Sequence, residues 1–355
     1  MNQMSELLEY TRAGPRGRPA HSIAHAALGP LRVPVWDDVR RAEGALAGRI
    51  VRTPLLRSSR LDDLAGGFVW LKAESLQSTS SFKARGALNA LLTLTPAQRQ
   101  AGVVAYSTGN HGQAIAWAAR QLSVPATIVM PHDAPANKIE RALAHEAEIV
   151  RYDRARESRE AIGMRLLRER GGTLIPPGDH PEVLAAQGTV AIEVWQQLPP
   201  VAQDDLAVFA APCGGGGLMA GCALVINELS ASTQLCAVEP ASFDDTVRSL
   251  LAGRRESNPP SATSFCDALQ ASTPAELPFE INRHLLDRAL GVTESEVQSA
   301  VKFAVEELRL VVEPGGAVAL AAALNGRLPL AGRHAVVVLS GGNIDTPLLT
   351  DFLAA

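Results

Sequence analysis

The sequence predicts an α/β protein built from two doubly wound parallel-sheet domains with a ligand cleft between them. Short apolar runs of strand type alternate with amphipathic helical stretches. The strand-type runs are apolar at nearly every position, as parallel strands are when helices cover both faces. The alternation also comes in two series, one from Gly102 to the "IPP" before Gly178 and one from Gly188 to the "SGGN" segment. Two series imply two sheets, and the cleft between them is the default ligand site. The expected division is a leader over 1–30, a larger domain from 31–100 and 181–355, and a smaller domain over 101–180.

Each element has its own warrant. "TRAGPRGRPAHS" is basic, rich in Gly and Pro, and lacks the apolar centre of a signal peptide, so it reads as a poorly ordered leader. "VWDDVRRAEGALAGRI" has helical spacing with acidic residues near its start. "FVWLKAE" is a short aromatic and apolar strand. "SSFKARGALNALLTL" predicts a helix that Ser80 or Ser81 caps, with Ala84, Ala87, Leu88, Leu91 and Leu92 along one stripe. The first series then runs strand "GVVAY", helix "QAIAWAARQL", strand "PATIVMP", a helix containing "KIERALAHEA", strand "EIVRY", a wet-faced helix in "DRARESREAIGMRLLRER", and "GGTLIPP". The second runs helix "GTVAIEVWQQL", strand "LAVFAAP", helix "GGGGLMAGCALVINEL", strand "QLCAVEP" and finally "HAVVVLSGGN".

Bulk properties narrow the function. Of 355 residues, 46% are hydrophobic and 20% charged, which suits a folded soluble chain rather than a disordered one. A net charge of −4 without a basic tract argues against a nucleic-acid partner. No apolar stretch reaches membrane-spanning length, so no membrane partner and a cytoplasmic location are expected. Cys213, Cys222, Cys236 and Cys266 show no metal-ligand spacing and read as small buried residues.

Four stretches carry chemistry. "CGGGGLMAG", Cys213 to Gly221, puts four glycines between a strand and a helix, where bare amides and a helix N-terminus cradle a phosphate. No Lys-Ser/Thr follows, which excludes a nucleotide P-loop. Gly215, Gly217 and Ala220 do satisfy a dinucleotide fingerprint, with Glu239 at the distance of a ribose-binding acid, so an NAD-dependent oxidoreductase stays open at this point. Lys83 falls in the first turn of its helix, where the dipole disfavours a cation and so favours a neutral amine. "STGNHG", 107–112, is a strand-to-helix turn whose amides suit a carboxylate. Ser340 ends a strand and can offer a ring nitrogen one uncharged hydrogen bond.

Taken in order, "SFKARGA", "STGNHGQA", "GGGGL", "VEP", "EPGGAVALAA" and "SGGN" resemble pyridoxal-phosphate-dependent enzymes of the tryptophan-synthase β type, in particular threonine/serine dehydratases and serine racemases. The resemblance covers nearly everything from about Val35 onward. It implies fold type II, with pyridoxal 5′-phosphate in the interdomain cleft. Lys83 would form the Schiff base, Phe82 would lie beside the ring, and Asn110 would bond the phenolic oxygen. Gly214, Gly215, Gly216, Gly217 and Leu218 would hold the phosphate, Ser340 would meet the ring nitrogen, and Glu313 would lie near the ring. Ser107, Thr108, Asn110 and His111 would grip the substrate carboxylate. "VEPASFDDT" resembles a Mg²⁺ or Ca²⁺ site using Glu239, the Phe243 carbonyl and Asp245, against the alternative that Asp244 or Asp245 caps the following helix.

The activity so implied is β-elimination of a β-hydroxy L-amino acid, threonine or serine first, to a 2-oxo acid and ammonia. A dehydratase for 3-hydroxyaspartate or for a hydroxyectoine breakdown product is the alternative, followed by serine racemase. Thr108, the second catalytic position, stands where racemases carry a serine that exchanges a proton opposite the lysine. Its extra methyl crowds the hydroxyl and favours elimination. Relatives of this kind are often homodimers, which is the expected assembly.

Overall fold

The computed structural model describes residues 7–14, 32–107, 109–134, 136–153 and 156–354. Helices that bear on the site are numbered here in chain order. They are α1 (Trp36–Leu46), α2 (Lys83–Leu92), α3 (Asn110–Gln121), α4 (Ala136–Leu143) and α5 (Arg159–Arg170), then α6 (Pro181–Gln197), α7 (Gly217–Leu229), α8 (Asp245–Ala252), α9 (Glu276–Leu285) and α10 (Pro314–Leu324). The strands are β1 (Glu9–Thr11), β2 (Leu55–Leu56), β3 (Phe68–Ala73), β4 (Val103–Tyr106), β5 (Ala126–Pro131), β6 (Glu148–Tyr152), β7 (Thr173–Leu174), β8 (Leu206–Pro212), β9 (Gln234–Pro240), β10 (Arg288–Val292) and β11 (His334–Leu339).

The strands form two sheets. The larger has the order β1-β10-β9-β8-β11-β3-β2, and the smaller has the order β6-β5-β4-β7. The smaller sheet is parallel throughout, and the larger is parallel except for its two edge strands. Every residue of β8 and β11 is buried, which explains their unbroken apolar sequences: helices cover both faces. The short antiparallel strands β1 and β2 close the edges, where a long unpaired ladder would invite aggregation.

Both sheets reverse their winding direction once. In the larger sheet, β8 is followed outward by β9 and β10, whereas β11 adds on the other side of β8. In the smaller, β4 is followed by β5 and β6, whereas β7 adds on the other side of β4. Ligands in open α/β sheets bind outside the strand carboxyl ends at such a reversal. Four loops are therefore singled out: those after β8, β11, β4 and β7.

The leader needs a correction. Residues 1–6 and 15–31 lie outside the described ones, but Glu9–Thr11 form strand β1, antiparallel to β10. Arg12 Nε fixes its end by donating to the Leu286 carbonyl at 2.9 Å. No helix of the described residues is long and apolar enough to cross a membrane. All four cysteines are buried and unpaired, and burial pushes each thiol up, away from the reactive thiolate.

Candidate active site

The loop after β8 is the four-glycine run. Gly216, with φ +91°, takes the left-handed conformation just before α7 begins at Gly217. A Cβ at Gly216 would stand 2.9 Å from Asn282 Nδ2, and one at Gly214 would stand 3.0 Å from Leu269 Cα. The backbone amides of Gly214, Gly215 and Gly216 donate to no acceptor among the described residues. Unspent amides converging at the start of a 13-residue helix form an anion nest. Leu218 is buried behind it.

Lys83 is the first residue of α2. Its Nζ donates to the Pro177 carbonyl at 3.1 Å and lies 5.1 Å from the centre of the Phe82 ring. Burial pushes the amine down to about 8. The direction agrees with the sequence argument, and the lost hydration of this half-buried amine is its cause. The expected serine cap is absent. Phe82 occupies the N-cap position in α conformation, without a side-chain hydrogen bond. The reason is that the preceding backbone is already committed: Ser81 bridges Gly341, Gly342 N donates to Ser80 O at 2.8 Å, and Phe82 N donates to Ser340 O at 3.1 Å. Ser80 is held at φ +54°, and the Ser81 hydroxyl is buried without a partner.

A directed chain of hydrogen bonds crosses the cleft. Arg141 Nη1, on α4, donates to Asn343 Oδ1 at 2.7 Å. Asn343 Nδ2 donates to Asn110 Oδ1 at 2.8 Å and to Thr79 O at 2.9 Å. Asn110 Nδ2 donates in turn to Glu313 Oε1 at 2.6 Å. The Asn110 amide is thus oriented by two neighbours, Asn343 and Glu313, with one N–H left over. Glu313 precedes α10 and is buried, and a Cβ at Gly341 would stand 2.1 Å from its Oε1, so this glycine makes room for the carboxylate. Ser340, just past β11, is 4% exposed, and its hydroxyl takes no partner among the described residues.

The loop after β4 carries the remaining predicted residues. Ser107 Oγ accepts from Gly109 N at 3.2 Å, and Thr108 lies outside the described residues. His111 is 3% exposed, and its Nε2 lies 2.8 Å from the Ile175 carbonyl. A carbonyl only accepts, so Nε2 carries the proton and Nδ1 keeps its lone pair, buried and unpaired. Burial, with the Lys83 charge second, lowers this imidazole to about 3. Its side chain is a neutral acceptor, leaving main-chain amides to grip a carboxylate.

The loop after β7 was missed. It supplies Pro177, whose carbonyl meets Lys83, and His180, whose Nδ1 is buried without a partner at the start of α6. Strand β7 has two residues, too short for any periodicity to reveal a reversal there. Asn343 was within reach, as the last letter of the "SGGN" segment. Arg141 carried no signal beyond its helix.

Glu239 is fully buried, and its two oxygens accept from Thr246 N at 3.1 Å and Val247 N at 2.8 Å. It therefore caps α8, a role the sequence reading gave to Asp244 or Asp245, and it has no face left for a ribose. This removes the footing of the dinucleotide reading. Asp245 Oδ1 accepts from Asn258 Nδ2 at 2.6 Å, while Oδ2 is buried and unpaired. Phe243 is buried beside them. Among the described residues, no three His, Cys, Asp or Glu side chains gather as a metal-holding group.

A family model for pyridoxal-phosphate dependent enzymes matches residues 46–341. A Saccharomyces cerevisiae protein named L-threo-3-hydroxyaspartate ammonia-lyase is 41% identical over 88% of this chain and 94% of its own. A Thermotoga maritima L-threonine ammonia-lyase is 35% identical over 88% of this chain and 76% of its own. The structure of maize serine racemase superposes with a TM-score of 0.84 at 33% identity, covering 91% of this chain and 97% of that one. The residues described above suit the phosphate, aldehyde and ring of this cofactor: an unspent amide nest, a half-buried amine whose pKa is lowered, and an unpaired hydroxyl at the end of β11.

Proposed function

The chain belongs to the pyridoxal-phosphate dependent enzyme family, and from that premise we propose that it is an ammonia-lyase eliminating water from a β-hydroxy L-amino acid. The product is a 2-oxo acid with release of ammonia. The observation that carries this reading is Lys83, an amine held at about 8 by burial and set against the carboxyl edges of both sheets. Bound pyridoxal phosphate supplies the electron sink for the carbanion charge. Lys83 is the residue that would hold the cofactor's aldehyde, and its amine is placed to take the substrate Cα proton as a general base. Gly214, Gly215, Gly216 and Gly217 would hold the phosphate on main-chain amides. Asn110, oriented by Asn343 and Glu313, would offer its free N–H to the phenolic oxygen. Ser340, uncharged, would leave the ring nitrogen without a carboxylate partner, which favours loss of the β-hydroxyl over reprotonation at Cα.

Lys83→Ala removes both the anchor and the base. Turnover is expected to fall by on the order of 10²–10⁴-fold, with loss of the visible absorbance of the cofactor-bound protein. A Lys83→Ala variant keeping both refutes the assignment.

Among substrates, 3-hydroxyaspartate moves ahead of threonine and serine. The 41% identical relative is named for it, and Arg141, which donates to Asn343 beside Asn110, is a cation that suits a second carboxylate. A panel of L-threonine, L-serine and both 3-hydroxyaspartate diastereomers, scored by 2-oxo acid release, is expected to favour a 3-hydroxyaspartate by about tenfold or more in kcat/KM. Preference for threonine overturns this order. A divalent cation beside Asp245 is also proposed, on the unpaired Oδ2; a raised Tm with added Ca²⁺ or Mg²⁺ supports it, and an unchanged one removes it.

A further inference from the structure

Beneath the lysine-bearing helix lies a buried network of four charges that the reaction itself does not use. Arg85, two residues after Lys83, is fully buried. Its Nε and Nη2 donate to the Glu74 oxygens at 2.8 and 2.7 Å, its Nη1 and Nη2 donate to the Glu193 oxygens at 2.7 and 2.9 Å, and Nη1 donates again to Thr189 Oγ1 at 3.1 Å. All five guanidinium N–H groups are spent. Lys72 Nζ, also fully buried, donates to Glu193 at 2.6 Å, the Thr53 carbonyl at 2.8 Å and Gln197 at 3.0 Å, which spends all three of its protons. Thr53 Oγ1 donates to Glu74 at 2.5 Å. Burial opposes the charges of Lys72, Glu74 and Arg85, and at Arg85 the paired carboxylates overcome it and hold the guanidinium above its usual range.

Such a network is a poor means of stabilising a fold, because apolar residues of similar volume commonly do as well. A network with every donor satisfied does fix one arrangement. That matters here because α2 has no side-chain cap, and the backbone bonds of Ser80–Phe82 to the 340–342 segment tie its start to β11 but not to α6. Its neighbour at the next position points the same way: a Cβ at Gly86 would stand 2.3 Å from Gln187 Nε2 and 2.8 Å from Val183, both on α6. The Pro177 carbonyl that receives the Lys83 amine lies just ahead of α6. Sliding α2 along α6 would therefore move Lys83 relative to its acceptor and to the glycine nest.

We propose that Arg85 is a positioning residue for the lysine chemistry, setting the register of α2 on α6 through its five-fold contact with Glu74, Glu193 and Thr189. The proposal rests on the pyridoxal-phosphate reading above. Arg85→Lys keeps the charge but replaces the planar fork with three donors. In the purified holoenzyme, Arg85→Lys is expected to lower kcat on the order of 10- to 100-fold with KM changed much less. The visible absorbance band should shift or shrink, with its pH midpoint displaced. Lys72→Met, which damages the far side of the same network, serves as the comparison for lost stability. At temperatures chosen to equalise the folded fraction, the spectral and kcat effects should belong to Arg85→Lys alone. If Arg85→Lys does not fold, Thr189→Val removes one of the five bonds and should show the same signature at smaller amplitude. A wild-type spectrum and kcat in whichever of these variants folds overturns the proposal. Absence of the band from the wild-type protein sinks the parent reading instead.

Discussion

At the scale of single residues, Lys83 and His111 are both shaped by lost hydration, His111 almost wholly and Lys83 in part. Burial favours the neutral amine of Lys83 and the neutral ring of His111. For Lys83 the consequence is measurable. Capture of the cofactor aldehyde needs the unprotonated amine, so loading of the apoenzyme should be slow below pH 8 and accelerate as pH rises through about 8. An ordinary exposed lysine would put that midpoint about two units higher. Stopped-flow absorbance against pH reads it directly, and a midpoint at the ordinary lysine value contradicts the burial argument. The folded protein also carries a penalty for protonating this buried group. That penalty is present below pH 8 and is relieved as pH rises from there towards the unfolded value. His111 remains neutral across the same range and contributes no titration of its own.

At the scale of elements, function lies in how helices begin. Each of α2, α3 and α7 starts without a side-chain cap, leaving its first amides or its first side chain for other work. In α7 the work falls to Gly216. Gly216→Ala is expected to weaken cofactor affinity by about tenfold, the equivalent of the roughly 1–2 kcal/mol that a side chain costs in the left-handed region. Equilibrium dialysis of the variant, compared with the wild type, decides it; equal affinity would mean that the loop tolerates a Cβ. The longer strands and the helices beside them were legible because their apolar patterns are long and regular, as in β8, β11 and α7, whereas β1, β2 and β10 went unassigned. The Ser80/Ser81 cap was misread because capping is inferred from local sequence, whereas those residues are engaged by the distant 340–342 segment. Glu239 was misread for the same reason. A carboxylate ending a strand looks free until the following helix is seen to present its amides to it. Thr108 lies outside the described residues, so its hydroxyl takes no part in these arguments.

At the scale of the molecule, two sheets each reverse their winding once, and the loops that flank the reversals supply nearly every residue assigned above. The first reversal was implicit in the sequence, since the runs ending in the glycine loop and in "SGGN" were both visible. The second depends on the pairing of two-residue β7 with β4 at Val103 and Val104, which no local pattern announces. This is why Pro177 and His180 went unassigned. The same geometry explains why the Asn110 amide depends on both sheets: it heads a helix after β4, yet its two partners, Asn343 and Glu313, come from the chain flanking β11.

The charges beneath α2 have a further effect on the whole. Two cations and two anions lie in direct contact and sum to zero, so little field escapes from them, and burial alone lowers the Lys83 amine. Mobile ions weaken forces between separated charges but do not restore the hydration a half-buried amine has lost. Apoenzyme loading should therefore titrate at the same pH in dilute buffer and in concentrated potassium chloride. A base whose strength is set in this way behaves alike whatever the ionic strength around it.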